Sequence, residues 1–217
     1  MIILDLFCGA GGAAMGYHRA FPDAVIIGVD LVPQPNYPFI FIQGDALYSL
    51  PTMVADFVHA SPPCQHYSTQ TADRSRHSGL IGATRRALNA FGKPYVIENV
   101  QGATKEMIDP ARLCGSSFGL DLRRHRLFET NWGLETLACD HAWQTPRFRS
   151  LRMSLVRKGQ LSPVVGVHGH INYAGESEIR KRAMEINWMT DAELAQAIPP
   201  RYTEYIGNRF KELTHAS

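Results

Sequence analysis

Short apolar runs alternate with glycine-rich or polar breaks through the first hundred residues of the chain. The runs are Met1–Phe7, Val25–Val29, Phe39–Ile42, Phe57–Ala60 and Tyr95–Ile97. Each has the length of a buried strand, and the intervening segments 13–19 and 83–90 are compatible with helices. Strands that alternate with helices predict an α/β fold, in which a mostly parallel sheet carries helices on both faces.

Polar or flexible residues follow these strands closely: Gly9, Asp30, Asp45, Cys64 and Glu98. In an open parallel sheet, ligands bind in the crevice at the carboxyl ends of the strands. We therefore expect these five residues to share one edge of the sheet and to form one site there.

The glycine-rich turn Cys8–Gly12 lets a ligand approach the backbone closely at a helix N-terminus. By itself such a cluster more often serves only the turn, and its spacing departs from the G-x-G-x-x-G of dinucleotide sites. Asp30 follows one βα unit later, where an acid can meet ribose hydroxyls, although a single turn acid is usually just solvated. The combined order of strand, turn, helix, strand and acid favours nucleoside binding.

Two prolines stiffen the backbone before Cys64. A cysteine is commonly a small buried hydrophobe, but the polar, loop-rich surroundings here favour a nucleophile. Glu98 is expected at the same edge, although a glutamate at a strand end is also common on surfaces. A cysteine beside a carboxylic acid indicates covalent attack assisted by proton donation.

Composition sets the broad class of protein. A chain of 217 residues, 45% of them hydrophobic, suits one globular domain with a small appended lobe. No stretch approaches the roughly 18 apolar residues of a membrane span, and Met1 leads directly into the first strand, so we expect a cytoplasmic protein without a membrane partner. Four scattered cysteines in such a chain are expected to be free thiols.

The net charge of +2 conceals a basic region. Residues 140–182 carry eight basic side chains against three acidic ones, and Trp143, Phe148 and Tyr173 lie among them. Such a mixture suits phosphate contact and base stacking, although a charged run is more often a solvated face.

Four segments of the chain, in order, resemble the signature motifs of the cytosine-C5 DNA methyltransferases. They are Asp5–Gly12, Pro62–Gln65, Glu98–Val100 and Arg124–Phe128, and Tyr205–Asn208 resembles the last motif of the family. The resemblance implies a Rossmann-like class I fold that uses S-adenosyl-L-methionine and releases S-adenosyl-L-homocysteine. It also implies three parts: a catalytic and cofactor-binding core at 1–131, a small target-recognition region at 132–185, and a C-terminal segment at 186–217 that returns to the core.

The resemblance also assigns roles. Cys64 matches the thiolate that adds to carbon 6 of cytosine, Glu98 the residue that acts at ring nitrogen 3, and Arg126 the arginine that holds the carbonyl oxygen; Arg124 is the accompanying arginine. Without the other motifs, the two arginines would be taken for a solvated strand face. The implied cofactor residues are Asp5, Phe7, Gly9, Gly11, Asp30, Leu31, Asp45, Ala46, Pro62 and Asn208. Arg209 stands where a small residue is usual, which leaves an altered methyl-donor preference open.

DNA is the partner that the resemblance implies, bound by a monomer. The implied DNA-binding residues are Gln65, Ser68, Arg74, Arg76, Arg147, Arg149 and Arg152. Residues 65–82 are equally compatible with a lid over an extruded base and with a surface loop. The brevity of the chain and the segment 200–207 resemble small bacteriophage and prophage members of the family, for which protection against restriction is the analogous role.

Two local patterns remain. Cys139 and His141 are zinc-ligand types, but a structural site needs four ligands, and Cys114, His168 and His170 complete a set only through long-range folding, so we expect no metal. Met184–Ala197 predicts a helix, with a capping box from Thr190 to Glu193 and a stop at Ile198–Pro200.

Three other functions stay open. The same chemistry could act on RNA, although the Cys-Phe-Thr element of the tRNA-methylating branch is absent. A catalytically silent DNA-binding member is a second alternative, against which Cys64, Glu98 and Arg126 together argue. A methyltransferase for a free nucleotide is the third, since the recognition region is small.

Overall fold

The computed structural model describes residues 1–67, 79–146, 162–167 and 175–215. Its strands are β1 (Ile2–Leu6), β2 (Val25–Asp30), β3 (Ile40–Gln43), β4 (Phe57–Ala60), β5 (Tyr95–Val100), β6 (Ala111–Leu113), β7 (Arg126–Thr130), β8 (Gln144–Pro146) and β9 (Ser162–Val164). Its α-helices are α1 (Gly12–Ala20), α2 (Ala46–Ser49), α3 (Ile81–Phe91), α4 (Glu176–Met184), α5 (Asp191–Gln196) and α6 (Pro200–His215).

Within this part of the chain, seven strands form one sheet in the order β3-β2-β1-β4-β5-β7-β6. All neighbouring pairs are parallel except those of β7, which runs antiparallel to β5 and to β6. The predicted mostly parallel α/β sheet is confirmed. The chain winds outward in opposite directions from the adjacent central strands β1 and β4. The crevice of such a sheet therefore lies where β1 and β4 end. Strands β8 and β9 form a separate parallel pair.

Successive residues of the central strands enter two different apolar layers. Ile3, Phe57 and Val96 belong to the layer that contains α1 and α6 residues, whereas Leu4 and Val58 belong to the layer that contains α3 residues. Side chains alternate between the faces of a strand, so both faces of the sheet are covered. Burial on both faces explains why the strands read as continuous apolar runs.

The prediction of a single helix at Met184–Ala197 is wrong, because one helix ends at Met184 and a second begins only at Asp191. Helix α4 ends at Met184 because Glu185 adopts a left-handed conformation, with φ of 56°. Helix α5 begins after Thr190, where the predicted capping box with Glu193 is confirmed. The predicted stop near Ile198–Pro200 ends α5, but Pro200 also opens α6, a position that suits its fixed φ.

Helix α6 packs tightly along α1. The Thr203 hydroxyl donates to the carbonyl of Ala13 at 2.8 Å, and Gly16 leaves room for the approach. A Cβ at Gly16 would lie 2.0 Å from the Thr203 Oγ1 and 2.1 Å from the Pro200 carbonyl oxygen. The C-terminal helix is thus fixed to the helix that follows the glycine-rich turn.

Across the described ranges, the helices are too short or too polar to traverse a bilayer.

We predict opposite outcomes for two helical glycines. Gly16→Ala should lower the free energy of unfolding by about 1–3 kcal/mol, because the added methyl collides with backbone atoms of α6. Gly82→Ala in α3 should be neutral or stabilising by up to about 1 kcal/mol, since its nearest new contact, the Arg86 side chain, lies at 3.6 Å. Urea unfolding of both variants provides the measurement, and equal effects would contradict this close helix contact.

Candidate active site

A cavity of about 1150 Å³ lies at the carboxyl ends of the central strands. Ligand sites are typically roughly 300–1000 Å³, so this one has room for a nucleoside-sized cofactor together with a second ring. The predicted residues that line it are Asp5, Phe7, Gly9, Asp30, Leu31, Asp45, Ala46, Pro62, Cys64, Gln65, Glu98, Arg124 and Arg126. The sheet therefore brings the predicted catalytic residues and all of the predicted cofactor residues except Gly11 and Asn208 to one continuous space.

The turn after β1 exposes its backbone to this cavity. Phe7 and Gly9 have φ of 56° and 50°, so the chain bends in a conformation that a non-glycine residue rarely adopts. No described atom lies within 4 Å of where a Gly9 Cβ would stand. Gly11 is different, because a Cβ there would lie 2.7 Å from the Pro38 side chain. Gly9 can thus approach a ligand, whereas Gly11 shapes the turn from outside the cavity wall.

Three carboxylates mark the cofactor side. Asp5 is fully buried, and burial raises its pKa well above the usual range. One of its oxygens accepts from the Tyr37 hydroxyl at 3.3 Å, and the other has no hydrogen-bond partner among the described residues. Asp30 accepts from the Gly9 amide at 3.0 Å, and Asp45 caps α2. Acceptors of this kind fit a ligand that carries amino and hydroxyl donors.

The loop after β4 presents Cys64. The buried Asn99 amide donates to the Pro62 carbonyl at 2.9 Å, which ties this loop to β5. Cys64 is half-buried, and burial followed by the negative Glu98 carboxylate raises the pKa of its thiol. Arg126 and Arg124 oppose that shift by favouring the thiolate. The Cys64 thiol is therefore favoured in its protonated form, and it lies beside two arginines that stabilise its thiolate.

Glu98 and Arg126 form a buried ion pair. The antiparallel register sets Glu98 opposite Phe128 and Val100 opposite Arg126, so the two charged residues are diagonal neighbours on one face. The Arg126 Nε lies 3.0 Å from the Glu98 Oε1. Burial raises the pKa of Glu98, while Arg126 and a hydrogen bond from Ser61 hold it down. Glu98 is thus held between a guanidinium and a hydroxyl donor, at a depth whose net effect is to raise its pKa.

A series of hydrogen-bonded side chains, which the sequence analysis missed, leads to Glu98. Tyr17 Oη lies 2.9 Å from His59 Nδ1, and His59 Nε2 lies 3.0 Å from Ser61 Oγ, which in turn bonds Glu98. Burial lowers the pKa of His59 to about 3, so its ring is neutral. A neutral ring lets each group donate to the next, from Tyr17 to Glu98. The available signal was a histidine inside the apolar strand Phe57–Ala60.

Arg124 holds the cavity wall rather than offering a free guanidinium. It donates to the carbonyl oxygens of Val167 at 2.7 Å and Ala195 at 2.6 Å. Burial and the neighbouring Arg126 lower its pKa to about 9. Arg124 thus joins two C-terminal segments to the strand that carries Arg126 and also lines the cavity, and its catalytic role stays a prediction.

Asn208 does not reach the cavity, contrary to the expectation that it closes the pocket. It is exposed in the middle of α6, and the preceding Gly207 faces Ala20 of α1, where a Cβ would lie 2.7 Å from that methyl. The C-terminal half contributes Val165–Val167 and Ala195–Ile198 to the cavity wall instead. Trp188, also missed, donates its indole N–H to the Ala10 carbonyl at 2.8 Å and anchors the turn.

Several predicted residues lie outside the described part of the chain, and their roles stay predictions. They are Ser68, Arg74, Arg76, Arg147, Arg149 and Arg152, together with most of the predicted lid at 65–82. Gln65 is described and is exposed at the cavity mouth.

No known sequence family and no characterised protein sequence matches the chain. Its structure is similar to the methyltransferase EhMeth of Entamoeba histolytica, with a TM-score of 0.58 over 98% of both chains at 12% identity. An antibiotic-related methyltransferase matches 59% of this chain and 87% of its own at 14% identity, but its TM-score of 0.36 carries no argument. At such identity the likeness shows the fold, which is the Rossmann-like fold of class I methyltransferases.

The ionic balance at Cys64 predicts a pH profile. Because its thiol pKa is raised above the usual 9.0, alkylation by iodoacetamide should accelerate about tenfold per pH unit and show no plateau up to about pH 9. Burial is the larger cause of this raised pKa, and Glu98→Gln removes the second cause, the negative charge, so the profile should move to lower pH. Peptide mass spectrometry gives the rate at Cys64, with exposed Glu178→Gln as the matched control. An identical profile in the parent and in Glu98→Gln would contradict the described electrostatics.

Proposed function

We propose that this protein is an enzyme that transfers a methyl group from S-adenosyl-L-methionine to carbon 5 of cytosine in DNA. The observation that carries the proposal is the convergence of Cys64, Glu98 and Arg126 on the cavity that also holds the strand-end acids. These three side chains match the family motifs, and the fold is one that methyltransferases use.

The cofactor side of the cavity fits S-adenosyl-L-methionine. Phe7 would pack against the adenine, Asp30 would accept from the ribose hydroxyls, and Asp45 would meet the adenine amino group. The open backbone at Gly9 and the unpaired oxygen of Asp5 suit the methionine end, where an ammonium group needs acceptors. When bound, the cofactor supplies an electrophilic methyl group.

The catalytic side fits covalent activation of cytosine. Carbon 5 of cytosine is a poor nucleophile until a thiolate adds to carbon 6. Cys64 provides that sulfur, and the neighbouring arginines favour its anion. Glu98, with a raised pKa, can donate a hydrogen bond or a proton to ring nitrogen 3 as carbon 6 is attacked. After methyl transfer, loss of the carbon-5 proton to a base expels the Cys64 thiolate and restores the ring.

Arg126 serves both the acid and the substrate in this scheme. Its Nε pairs with Glu98 and its Nη1 donates to the His125 carbonyl, which fixes the guanidinium plane. The fork can then present a further N–H to the carbonyl oxygen of the base, since an arginine stays charged and donates from a rigid geometry. This placement orients the ring between Cys64 and Glu98.

A DNA substrate requires that the target base leave the helical stack. Cys64 lies within a cavity rather than on a flat surface, so an extruded base could enter it. The local excess of basic residues at 140–182 in the sequence, which includes Arg147, Arg149 and Arg152, supports phosphate binding. The choice of DNA over RNA or a free nucleotide rests on the resemblance of the sequence motifs to those of the DNA-methylating family.

Transfer of tritiated methyl groups tests the proposal. The purified chain is incubated with labelled S-adenosyl-L-methionine and duplex DNA, single-stranded DNA, tRNA or dCMP. We predict label in DNA as 5-methylcytosine, none with Cys64→Ala, and a rate about 10²–10⁴-fold lower with Glu98→Gln. Glu178→Gln, which changes an exposed glutamate on α4, should keep the parent rate.

Label confined to tRNA or dCMP would replace DNA as the substrate but keep the chemistry. Parent-like transfer by Cys64→Ala would reject the covalent mechanism.

A further inference from the structure

Four ligand-type side chains meet near the start of β7, in what we call the Cys2His2 cluster: Cys114, His125, Cys139 and His141. Cys114 follows β6 and is buried, and His125 directly precedes β7. Cys139 and His141 come from the irregular segment 131–143. From the sequence, Cys114, His168 and His170 were the candidates to complete a set with Cys139 and His141 through long-range folding. The β6–β7 pairing brings Cys114 to them, and His125 is the fourth ligand type.

The distances within the cluster match a tetrahedral zinc site. Zinc–sulfur bonds of about 2.3 Å and zinc–nitrogen bonds of about 2.0–2.1 Å place neighbouring S and N ligands about 3.6 Å apart. Cys114 Sγ lies 3.3 Å from His141 Nε2, and Cys139 Sγ lies 3.7 Å from His125 Nε2. All four ligand atoms lie within 4.8 Å of one another. A tetrahedral sphere needs every pair of ligand atoms at about 3.3–3.8 Å, so the widest pair would have to close by up to about 1 Å.

The chemistry of this donor set also suits zinc. Two thiolates and two neutral imidazoles cancel the charge of a divalent ion, so the complex can be buried without leaving a net charge. The Ser116 hydroxyl, 3.2 Å from Cys114 Sγ, can donate to a metal-bound thiolate, as outer-shell groups do. A disulfide between Cys114 and Cys139 would leave the convergence of two imidazole nitrogens unexplained.

The position of the cluster indicates a structural purpose. Residues 131–143 have no helix or strand of their own, and loops of that length are uncommon unless they are held. Apart from the cluster, hydrogen bonds tie this segment to β6 and to the turn after it: the Arg112 amide donates to the Thr136 hydroxyl, and the Ser117 hydroxyl donates to the Ala138 carbonyl. His125 stands between Arg124 and Arg126, so a bond to its ring would fix the backbone that carries both arginines.

We propose that Cys114, His125, Cys139 and His141 bind one structural zinc ion, which fastens the segment leading to β8 onto the start of β7. Four protein ligands fill a tetrahedral sphere and leave no position for water, so the ion takes no part in the reaction. The proposal is independent of the substrate of the neighbouring cavity, and its test needs no activity measurement.

The metal content of the full-length parent protein gives the first test. The chain is expressed with zinc, freed of any affinity tag, dialysed against metal-free buffer and analysed by plasma mass spectrometry. We expect one zinc per chain. X-ray absorption of the same sample should show two sulfur ligands at about 2.3 Å and two nitrogen ligands at about 2.0–2.1 Å. Less than about a tenth of an equivalent, or a shell of oxygen ligands, would overturn the proposal.

Variants then assign the ligands. Cys139→Ser and His141→Asn should each reduce bound zinc at least tenfold, whereas His18→Asn on α1 should retain it. Should either ligand variant fail to fold, cobalt substitution of the parent keeps the proposal falsifiable, because tetrahedral cobalt with two thiolates has a distinctive charge-transfer absorption. Absence of that absorption, or mass evidence for a Cys114–Cys139 disulfide in a metal-free chain, would overturn the site.

Discussion

The buried ion pair between Glu98 and Arg126 is the constraint on which the candidate site depends. A carboxylate at this depth needs a partner, and losing one member of a buried pair typically costs about 3–5 kcal/mol. The pair exists only in the observed register of β7 on β5, because a shift of one residue would turn Arg126 to the opposite face. Strand β7 thus helps to set the position of Glu98 beside Cys64.

The remaining contacts hold this pair in place from several directions. On the β4 side, Ser61 hydrogen-bonds Glu98 and is itself held by His59. Asn99 ties the Pro62 loop to β5. Arg124 extends the arrangement to the C-terminal half by its bonds to Val167 and Ala195. Residues from both halves of the chain therefore line one cavity, and its shape depends on how the two halves pack together.

Local sequence patterns predicted what depends on local structure. Strand periodicity and the rule for strand ends located Asp30, Cys64 and Glu98, because Asp30 and Glu98 follow an apolar run directly and Cys64 comes four residues after one. The partners of Arg124 could not be predicted, since they depend on where distant segments pack. Asn208 was misplaced because Gly207, which resembles a loop motif, instead permits close helix contact with Ala20. His125 was missed as a ligand because its nearest ligand in sequence, Cys114, lies eleven residues away on another connection.

Covalent trapping tests the central claim, that Cys64 attacks carbon 6 of cytosine in DNA. Duplex DNA in which 5-fluorocytosine replaces every cytosine removes the need to know the recognised sequence. Fluorine cannot leave carbon 5 as a proton does, so we expect an adduct that survives denaturation, requires the methyl donor and maps to the Cys64 peptide by mass spectrometry. Methylation of ordinary DNA by the same sample without any such adduct, or an adduct on another residue, would contradict it.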